Sequence, residues 1–400
     1  MRTIASLVLT LITGAVALPA QTLPVLSRSE VLVGQAVREP AVVRHPDGAL
    51  FVAGYSRDPE EAFDPPNLYR SVDGGGSWDP VDVGRVEDGA SGNSDVDLKL
   101  GPDGSLYFLA MGFDRAVGEG RHVALGISRD VGATWTWRYV SRSRFDDRPW
   151  IGLTSEGRAH VVWNDGRGVR HAVSADGGDS WEEAERISRA GGSSHLAVGP
   201  SGELAVRIAP GSASGIALDP GADYIAVSVD DGTSWELRRA PGIRDGQEVP
   251  RWVEPVAWDA DGVLYSLWSE GTTLRLGRSA DRGASWDVHD LLQDPATVYY
   301  PFLAAGPPGR LALSWFSGQG SELRAYVGLV DTTADVLTVR RTEPLEVDAW
   351  RESEGGRVRD PAGEYFPVIF LDGGVLAAVL PVQGADRGEG FSWIRIGSQP

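Results

Sequence analysis

An eight-residue pattern, Ser-x-Asp-x-Gly-x-(Ser/Thr)-Trp, occurs five times in this chain and constrains its fold more than any other feature. Successive copies begin 57, 46, 54 and 51 residues apart and occupy residues 71–78, 128–135, 174–181, 228–235 and 279–286. This period fits one four-stranded blade of a β-propeller and is too long for a heptad or a helical solenoid repeat. The chain is therefore predicted to be an all-β repeat protein.

Each residue type in this pattern suits a tight turn between two strands. The Asp can accept hydrogen bonds from backbone N–H groups one or two residues on, and the Gly adopts a conformation that costs other residues free energy. The Ser or Thr bonds locally, and the Trp buries a large apolar ring. We therefore interpret the Asp of each copy as structural rather than catalytic: Asp73, Asp130, Asp176, Asp230 and Asp281.

A second repeated unit consists of two short apolar runs joined by a turn that ends in Gly. Its seven turns occupy residues 45–48, 101–104, 154–157, 199–202, 259–262, 306–309 and 371–374. Such turns are typical of hairpins, so each unit is predicted to supply the two inner strands of a blade. Seven hairpins predict seven blades, with six as the alternative. The last blade is one strand short, and residues 25–33 can supply that strand and close the ring.

Length and composition are consistent with one exported propeller. The 400 residues, 42% of them hydrophobic, suit a single propeller domain over residues 21–400. Residues 1–20 combine an early Arg, an apolar run and small residues, which is typical of a secretory signal peptide, so we expect a periplasmic or secreted protein. No later segment predicts membrane insertion. The chain has no cysteine, so strand pairing rather than a disulfide must close the ring.

The charge of the chain limits its partners. A net charge of -19 repels nucleic acid and anionic membrane surfaces, so nucleic acid is excluded as a partner. We expect a monomer that binds a glycan or an extracellular protein. The six His residues show no ligand spacing, and no metal or cofactor is predicted.

Blade order also predicts the face that carries a site. In a propeller, the segments that lead to the innermost strands share one face with the loops between second and third strands, and the hairpins and pattern turns lie on the other. Loops around a channel are where binding residues concentrate. The innermost strands are predicted to begin near Arg38, Asp95, Asp146, Ser193, Arg251, Tyr299 and Glu364.

The five copies resemble the Asp boxes, or bacterial neuraminidase repeats, of the sialidase superfamily, and the resemblance covers about residues 25–396. Sialidases carry an Arg-Ile-Pro motif at the start of the first innermost strand, where this chain has Arg38, Glu39 and Pro40. The resemblance implies an exo-α-sialidase in which three arginines grip a substrate carboxylate. An Asp acts as acid/base, and a Tyr activated by a Glu is the nucleophile.

Carried onto this chain, the resemblance implies Asp64, Glu254 and Tyr365 as catalytic residues and Arg38, Arg148 and Arg251 as the substrate-binding arginines, with Arg357 or Arg359 in place of Arg148 as alternatives. Two other functions remain open. Asp boxes also occur in non-catalytic propellers, so the chain can be a propeller that binds a glycan or a protein. An enzyme of another glycan specificity would instead place paired carboxylates across the channel.

Overall fold

The computed structural model describes residues 22–56, 58–183, 186–210, 223–242, 254–319, 322–347, 351–352, 358–359, 363–384 and 388–397. Within these ranges the chain forms seven antiparallel blades and no α-helix. Each innermost strand contacts the innermost strand of the next blade, and the last contacts the first, so the blades form a closed ring. The structure confirms the prediction of a seven-bladed all-β propeller.

The strands follow the predicted blade order. The first strand, β1 (Val25–Leu32), belongs to the last blade. Blade 1 contains β2 (Arg38–Arg44), β3 (Leu50–Tyr55), β4 (Asn67–Ser71) and β5 (Asp79–Pro80). Blade 2 contains β6 (Ser94–Leu100), β7 (Leu106–Asp114), β8 (Glu119–Ser128) and β9 (Thr136–Ser141). Blade 3 contains β10 (Asp146–Leu153), β11 (Ala159–Asp165), β12 (Val169–Ser174) and β13 (Glu182–Glu183).

Blade 4 contains β14 (Gly192–Val198), β15 (Leu204–Ala209), β16 (Tyr224–Ser228) and β17 (Glu236–Arg239). Blade 5 contains β18 (Val256–Trp258), β19 (Leu264–Glu270), β20 (Thr273–Ser279) and β21 (Asp287–Gln293). Blade 6 contains β22 (Thr297–Ala305), β23 (Arg310–Gln319), β24 (Glu322–Asp331), β25 (Val339–Arg341) and β26 (Leu345–Glu346). A small sheet of β27 (Arg351–Glu352) and β28 (Val358–Arg359) follows. Blade 7 contains β29 (Val368–Phe370), β30 (Leu376–Gly384), β31 (Gly388–Ile396) and β1.

The N-terminal strand closes the ring as predicted. Strand β1 pairs antiparallel with β31, with Glu30 opposite Ser392 and Arg28 opposite Ile394. Both strands would otherwise present an open sheet edge, which exposes unpaired backbone groups. The second strands form the buried centre of the blades. Every residue of β3 and of β15 is buried, which explains why neither strand has an alternating pattern: β3 is apolar throughout, and β15 is apolar except for Arg207.

The five copies of the eight-residue pattern, called the box turns below, join the third and fourth strands of their blades and share one hydrogen-bonding pattern. In the first, Asp73 Oδ1 accepts from the Ser71 hydroxyl and from the Ser77 N–H, both at 2.9 Å, and Asp73 Oδ2 accepts from the Ser77 hydroxyl at 2.7 Å. In all five copies the N–H that the Asp accepts from is four residues on, at 2.8–2.9 Å. The bond therefore spans the whole turn, whereas a bond one or two residues on was expected.

The boxes also join neighbouring blades. Gly75 is in the left-handed region at φ 96°, and a Cβ there would overlap the indole of Trp393 in β31. The box Trp78 packs edge-on against the same indole at 5.4 Å and against Phe391 at 5.2 Å. Glycine is therefore needed both for the turn conformation and for the close approach of blade 7.

Among the described residues, no helix is long and apolar enough to cross a membrane.

Candidate functional site

The starts of the innermost strands form one end of the central channel, which we call the channel mouth. In five blades the pairing of the first and second strands shifts register at this point: between Arg38 and Ala41, Ser94 and Val96, Asp147 and Trp150, Ser193 and His195, and Tyr299 and Phe302. Each shift is a β-bulge, which bends a strand and redirects a side chain. The bulges contain Glu39, Asp95, Arg148 and Tyr300.

Four carboxylates surround the guanidinium of Arg148 at the channel mouth. Arg148 Nη2 lies 2.8 Å from Glu364 Oε2, with the two side chains only 14% and 16% exposed. Burial opposes the charge of Arg148, but the carboxylates of Glu364, Asp95, Asp147 and Glu39 raise its pKa well above the ordinary value. These four residues, from blades 7, 2, 3 and 1, are called the carboxylate cluster below.

Glu39 connects blades 1 and 7 within this cluster. Its Oε1 accepts a hydrogen bond from the Tyr55 hydroxyl at 3.0 Å and a second from the backbone N–H of Glu364 at 3.3 Å. Glu39 is 6% exposed, and a carboxylate at such depth requires partners of this kind. The residue that departs from the Arg-Ile-Pro motif is therefore an integral part of the mouth.

Crowding of carboxylates disfavours their ionisation. Burial, followed by the charges of Glu39 and Asp147, raises the pKa of Asp95 well above its usual range, although Arg148 opposes the rise. Burial also raises the pKa of Glu364, and its contact with Arg148 opposes that rise. Perturbed groups in a concave site are candidates for proton transfer. Asp95 can thus retain a proton under conditions where an ordinary Asp is ionised.

Four aromatic rings from blades 3, 4, 6 and 7 cross the channel and form what we call the aromatic floor: Trp150, His195, Phe302 and Tyr365. Trp150 stacks on His195 at 4.4 Å, and Phe302 stacks on Tyr365 at 5.6 Å. Trp150 and Phe302 follow the bulge residues by two positions, so the floor lies deeper than the carboxylate cluster. Ligand sites in proteins are commonly lined by aromatic side chains with a few polar groups, and the aromatic floor and the carboxylate cluster together have this composition.

The predicted site residues Arg148 and Tyr365 lie at the channel mouth. Tyr365 is 5% exposed within the aromatic floor. Burial, then Glu39, Asp97 and Asp95, raise its pKa well above the ordinary value, which disfavours a free phenolate. Arg38 is fully buried and its guanidinium lies 5.7 Å from the centre of the Tyr55 ring, beside Glu39.

The hydrogen bond that the structure shows for the predicted residue Glu254 is with Arg207. Glu254 Oε2 accepts a hydrogen bond from Arg207 Nε at 2.9 Å. Burial would lower the pKa of Arg207, but Glu254 and Asp223 together raise it above the ordinary value. Glu254 thus belongs to a buried ion group between blades 4 and 5. Its predicted role as the activator of a Tyr is not supported by this contact and stays a prediction.

The structure says less about the four other predicted residues. Asp64 is exposed on the long loop between β3 and β4, on the predicted face of the ring. Arg251 and Arg357 lie outside the described residues, and for Arg359 the backbone alone is described, in β28. Among the residues that the structure describes, no three His, Asp or Glu side chains are grouped as a metal ion would require.

The sequence predicted which face of the ring would carry a site, but it did not indicate that four carboxylates would cluster there. Asp95, Asp147 and Glu364 stand at predicted strand starts, and an X-Pro pair recurs near the strand starts of five blades, at residues 39–40, 148–149, 254–255, 300–301 and 366–367. That repetition was the available signal. The convergence of the side chains depends on ring closure and bulges, which residue spacing does not give.

No family model matches the sequence, and no curated protein matches it. Similarity is found among solved structures. Virginiamycin B lyase from Staphylococcus aureus has a TM-score of 0.56 at 11% identity, over 93% of this chain and 99% of that one. The α-L-arabinofuranosidase from Fusarium graminearum has a TM-score of 0.52 at 12% identity, over 92% and 97%. The endosialidase of phage phi92 has a TM-score of 0.51 at 12% identity, over 94% and 69%.

These similarities show that the chain shares the propeller fold with proteins of several activities. At such low identity they carry the fold alone. One of the three is a lyase and two act on glycans, so the activity of this chain has to be argued from its own channel mouth.

Proposed function

We propose that the protein is a glycoside hydrolase whose active site is the channel mouth, with Asp95 as the proton donor and Glu364 as the second carboxylate. The observation that carries this proposal is the carboxylate cluster, in which the pKa of Asp95 is raised well above its usual range. Glycosidases use a protonated and an ionised carboxyl group on either side of the scissile bond. Of the functions left open by the sequence, the enzyme of another glycan specificity, with paired carboxylates across the channel, agrees best with this arrangement.

The division of labour follows from the surroundings of each group. Asp95 donates its proton to the departing glycosidic oxygen, since burial and the neighbouring carboxylates raise its pKa well above the usual range. The Arg148 guanidinium, 2.8 Å from Glu364, favours the ionised form of that carboxylate. Glu364 then attacks the anomeric carbon or removes a proton from the attacking water. The positive charge that develops on the sugar ring is stabilised by the surrounding carboxylates.

The same cluster favours a neutral glycan over an anionic one. Four carboxylates lie around the Arg148 guanidinium at the mouth, and like charges at short range disfavour the binding of another carboxylate. The arabinofuranosidase that shares the fold is an enzyme that acts on a neutral sugar. We therefore propose neutral glycosides as the substrate class.

An exo-α-sialidase, which the Asp-box resemblance implies, is the second candidate. It is favoured by the position of Arg38 and Arg148 at the starts of innermost strands and by Tyr365 near Glu39. It requires Arg148 to exchange Glu364 for the carboxylate of the sugar, which costs an existing ion pair. A non-catalytic propeller that binds a glycan is the outcome if no bond is cleaved.

Release of 4-nitrophenol from chromogenic glycosides tests the proposal. The panel contains α-L-arabinofuranoside, neutral pyranosides and an α-sialoside. We expect turnover of a neutral glycoside. On the methyl glycoside of the same sugar, whose leaving oxygen must be protonated, Asp95→Asn should lose about 10²–10⁴-fold in kcat/KM for sugar release, the range of a lost general acid. Asp103→Asn, in the same blade but in the hairpin of the opposite face, is the matched control. Failure of every glycoside, or full activity of Asp95→Asn, would overturn the assignment.

Export also remains a proposal. Residues 1–20, the predicted signal peptide, lie outside the described residues. Cleavage after expression with a secretory system would leave a mature chain that begins near residue 21, which intact-protein mass spectrometry measures directly. A full-length mass in the cytoplasmic fraction would contradict the prediction.

A further inference from the structure

Three residues at the channel mouth share an unusual backbone conformation. Glu39, Arg148 and Tyr300 have φ values of 41°, 47° and 48°. Each directly precedes a proline, and each lies in a bulge at the start of its innermost strand. The same local solution therefore occurs in blades 1, 3 and 6.

This conformation costs free energy at every one of these positions. A residue with a Cβ at positive φ brings that atom close to the backbone, and glycine is the residue that avoids this penalty. A following proline restricts the preceding residue toward extended conformations, which conflicts with positive φ. Four further described residues that are not glycine have positive φ, and three of them, Val131, Asp231 and Arg282, belong to box turns. The residues at the mouth are not explained by turn formation.

The three side chains belong to one group of interacting atoms. Burial, then the charges of Glu364 and Glu39, raise the pKa of the Tyr300 hydroxyl, and Arg148 opposes the rise. Glu39 and Arg148 in turn lie in the carboxylate cluster. Strain held at one site by several separate strands is typical of functional positions.

We infer that Glu39, Arg148 and Tyr300 position the sugar in the channel mouth. The left-handed conformation in each bulge directs the side chain of that residue at the ligand. The inference rests on the proposed function for its ligand class, a neutral sugar with free hydroxyl groups. Glu39 accepts a hydrogen bond from a sugar hydroxyl, Arg148 donates to a ring or hydroxyl oxygen, and Tyr300 packs its ring against the sugar. Glycine at these positions would remove the strain but also the contacts.

A pair of substitutions at each position separates strain from contact. Glu39→Gly, Arg148→Gly and Tyr300→Gly are compared with the Ala variants at the same positions by thermal unfolding. We expect each Gly variant to melt about 2 °C or more above its Ala counterpart, because only Gly is unstrained at positive φ. At Tyr299, which lies next to Tyr300 but outside the positive-φ group, the Gly variant should melt below the Ala variant. Equal or reversed ordering at the three positions would overturn the inference.

Binding is measured separately from turnover, on an array of neutral and sialylated oligosaccharides. The wild type should bind a neutral oligosaccharide, and each of the three Ala variants should lose at least tenfold in affinity. Glu236→Ala, on the exposed outer strand of blade 4, should bind like the wild type. Unchanged binding by the Ala variants, or no glycan bound by the wild type, would overturn the inference. Binding without hydrolysis would instead contradict the proposed hydrolase and leave this inference supported.

Discussion

Arg207 Nε donates a hydrogen bond to Glu254 Oε2 at 2.9 Å and so links the second strand of blade 4 to the start of blade 5. Arg207 has no exposed surface, and Asp223 is its second carboxylate partner. The geometry is that of a buried ion group that holds two blades together. A residue in such a group is expected to act on stability first.

The first prediction is that Glu254→Ala destabilises the fold by about 3–5 kcal/mol, the range for removing one partner of a buried ion pair. The loss leaves the Arg207 guanidinium buried with fewer partners. Urea unfolding measures the change, and Glu236→Ala, which removes an exposed partner of Arg238, is the control that should leave the unfolding free energy unchanged. If Glu254→Ala is fully stable but inactive, Glu254 has the catalytic role that the sequence predicted.

The second prediction concerns the box aspartates at acid pH. Backbone and hydroxyl hydrogen bonds from Ser77 lower the pKa of Asp73 to about 2, and the equivalent bonds from Ser180 and Ser285 lower the pKa of Asp176 and Asp281 to about 2. Because the folded pKa lies below the unfolded value of about 3.9, this contribution is complete above pH 4 and is lost as the pH falls toward 2. The melting temperature should therefore decrease steeply in that range.

Substitution of the Asp in a single box turn separates the effect of box protonation from general unfolding by acid. Asp130→Ala should lower the melting temperature at pH 7 and reduce the acid-dependent loss, whereas Asp130→Asn, which keeps one acceptor oxygen, should lower it less. Asp335→Ala, at an exposed position between β24 and β25, is the control. Loss of ligand binding by a folded Asp130→Ala protein would contradict the structural role of the box.

The third prediction concerns a pair of buried histidines between blades 3 and 4. His160 Nε2 lies 3.0 Å from Asp231 Oδ1, and His160 Nδ1 lies 3.1 Å from His171 Nε2. A neutral His160 can donate to Asp231 and accept from His171 at the same time. Burial, with the Arg158 charge, lowers the pKa of His160 to about 4, and burial and His160 lower the pKa of His171 to about 3.

The sign of the resulting pH dependence follows from these pKa values. The unfolded histidines take up protons near pH 6.5, and the folded ones do so only near pH 3 to 4, so the unfolded state binds more protons between these values. The contribution of the two neutral histidines to stability is therefore complete above pH 6.5 and decreases as the pH falls to about 4. His160→Gln should flatten this part of the curve of melting temperature against pH. His289→Gln, on the outer strand β21, should not.

The fold was predictable because its signals are local and repeated. Each copy of the eight-residue pattern marks the turn between the outer strands, and each Gly-terminated hairpin marks the inner pair. The missing strand of the last blade required residues 25–33 to pair with it. The observed pairing of Glu30 with Ser392 follows from that requirement. These features depend on hydrogen bonds within a few residues or on the absence of an open sheet edge.

The candidate site was predictable in position but not in composition. Arg148 and Glu364 are 216 positions apart in the sequence and come within 2.8 Å because blades 3 and 7 face the same channel. Glu39 was considered a departure from a motif, although its hydrogen bond to Tyr55 makes it a member of the cluster. Arg207, the partner of Glu254, lies inside a buried strand, where no motif marks a charged residue.

The last prediction separates the two enzymatic mechanisms through Tyr365. In the sialidase mechanism the phenolic oxygen of Tyr365 forms the covalent bond, so Tyr365→Phe abolishes turnover. In the carboxylate mechanism Tyr365 contributes its ring to the aromatic floor, where it stacks on Phe302 at 5.6 Å, and a Phe ring keeps that contact. The raised pKa of Tyr365, caused by burial and by Glu39, favours the second role.

We therefore expect Tyr365→Phe to retain kcat/KM within about tenfold, while Glu364→Gln loses about 10²–10⁴-fold. Steady-state kinetics on the glycoside that the wild type hydrolyses measure both, and the circular dichroism spectrum establishes that each variant is folded. If Tyr365→Phe is inactive and Glu364→Gln is active, the carboxylate mechanism is wrong and the Tyr nucleophile takes its place.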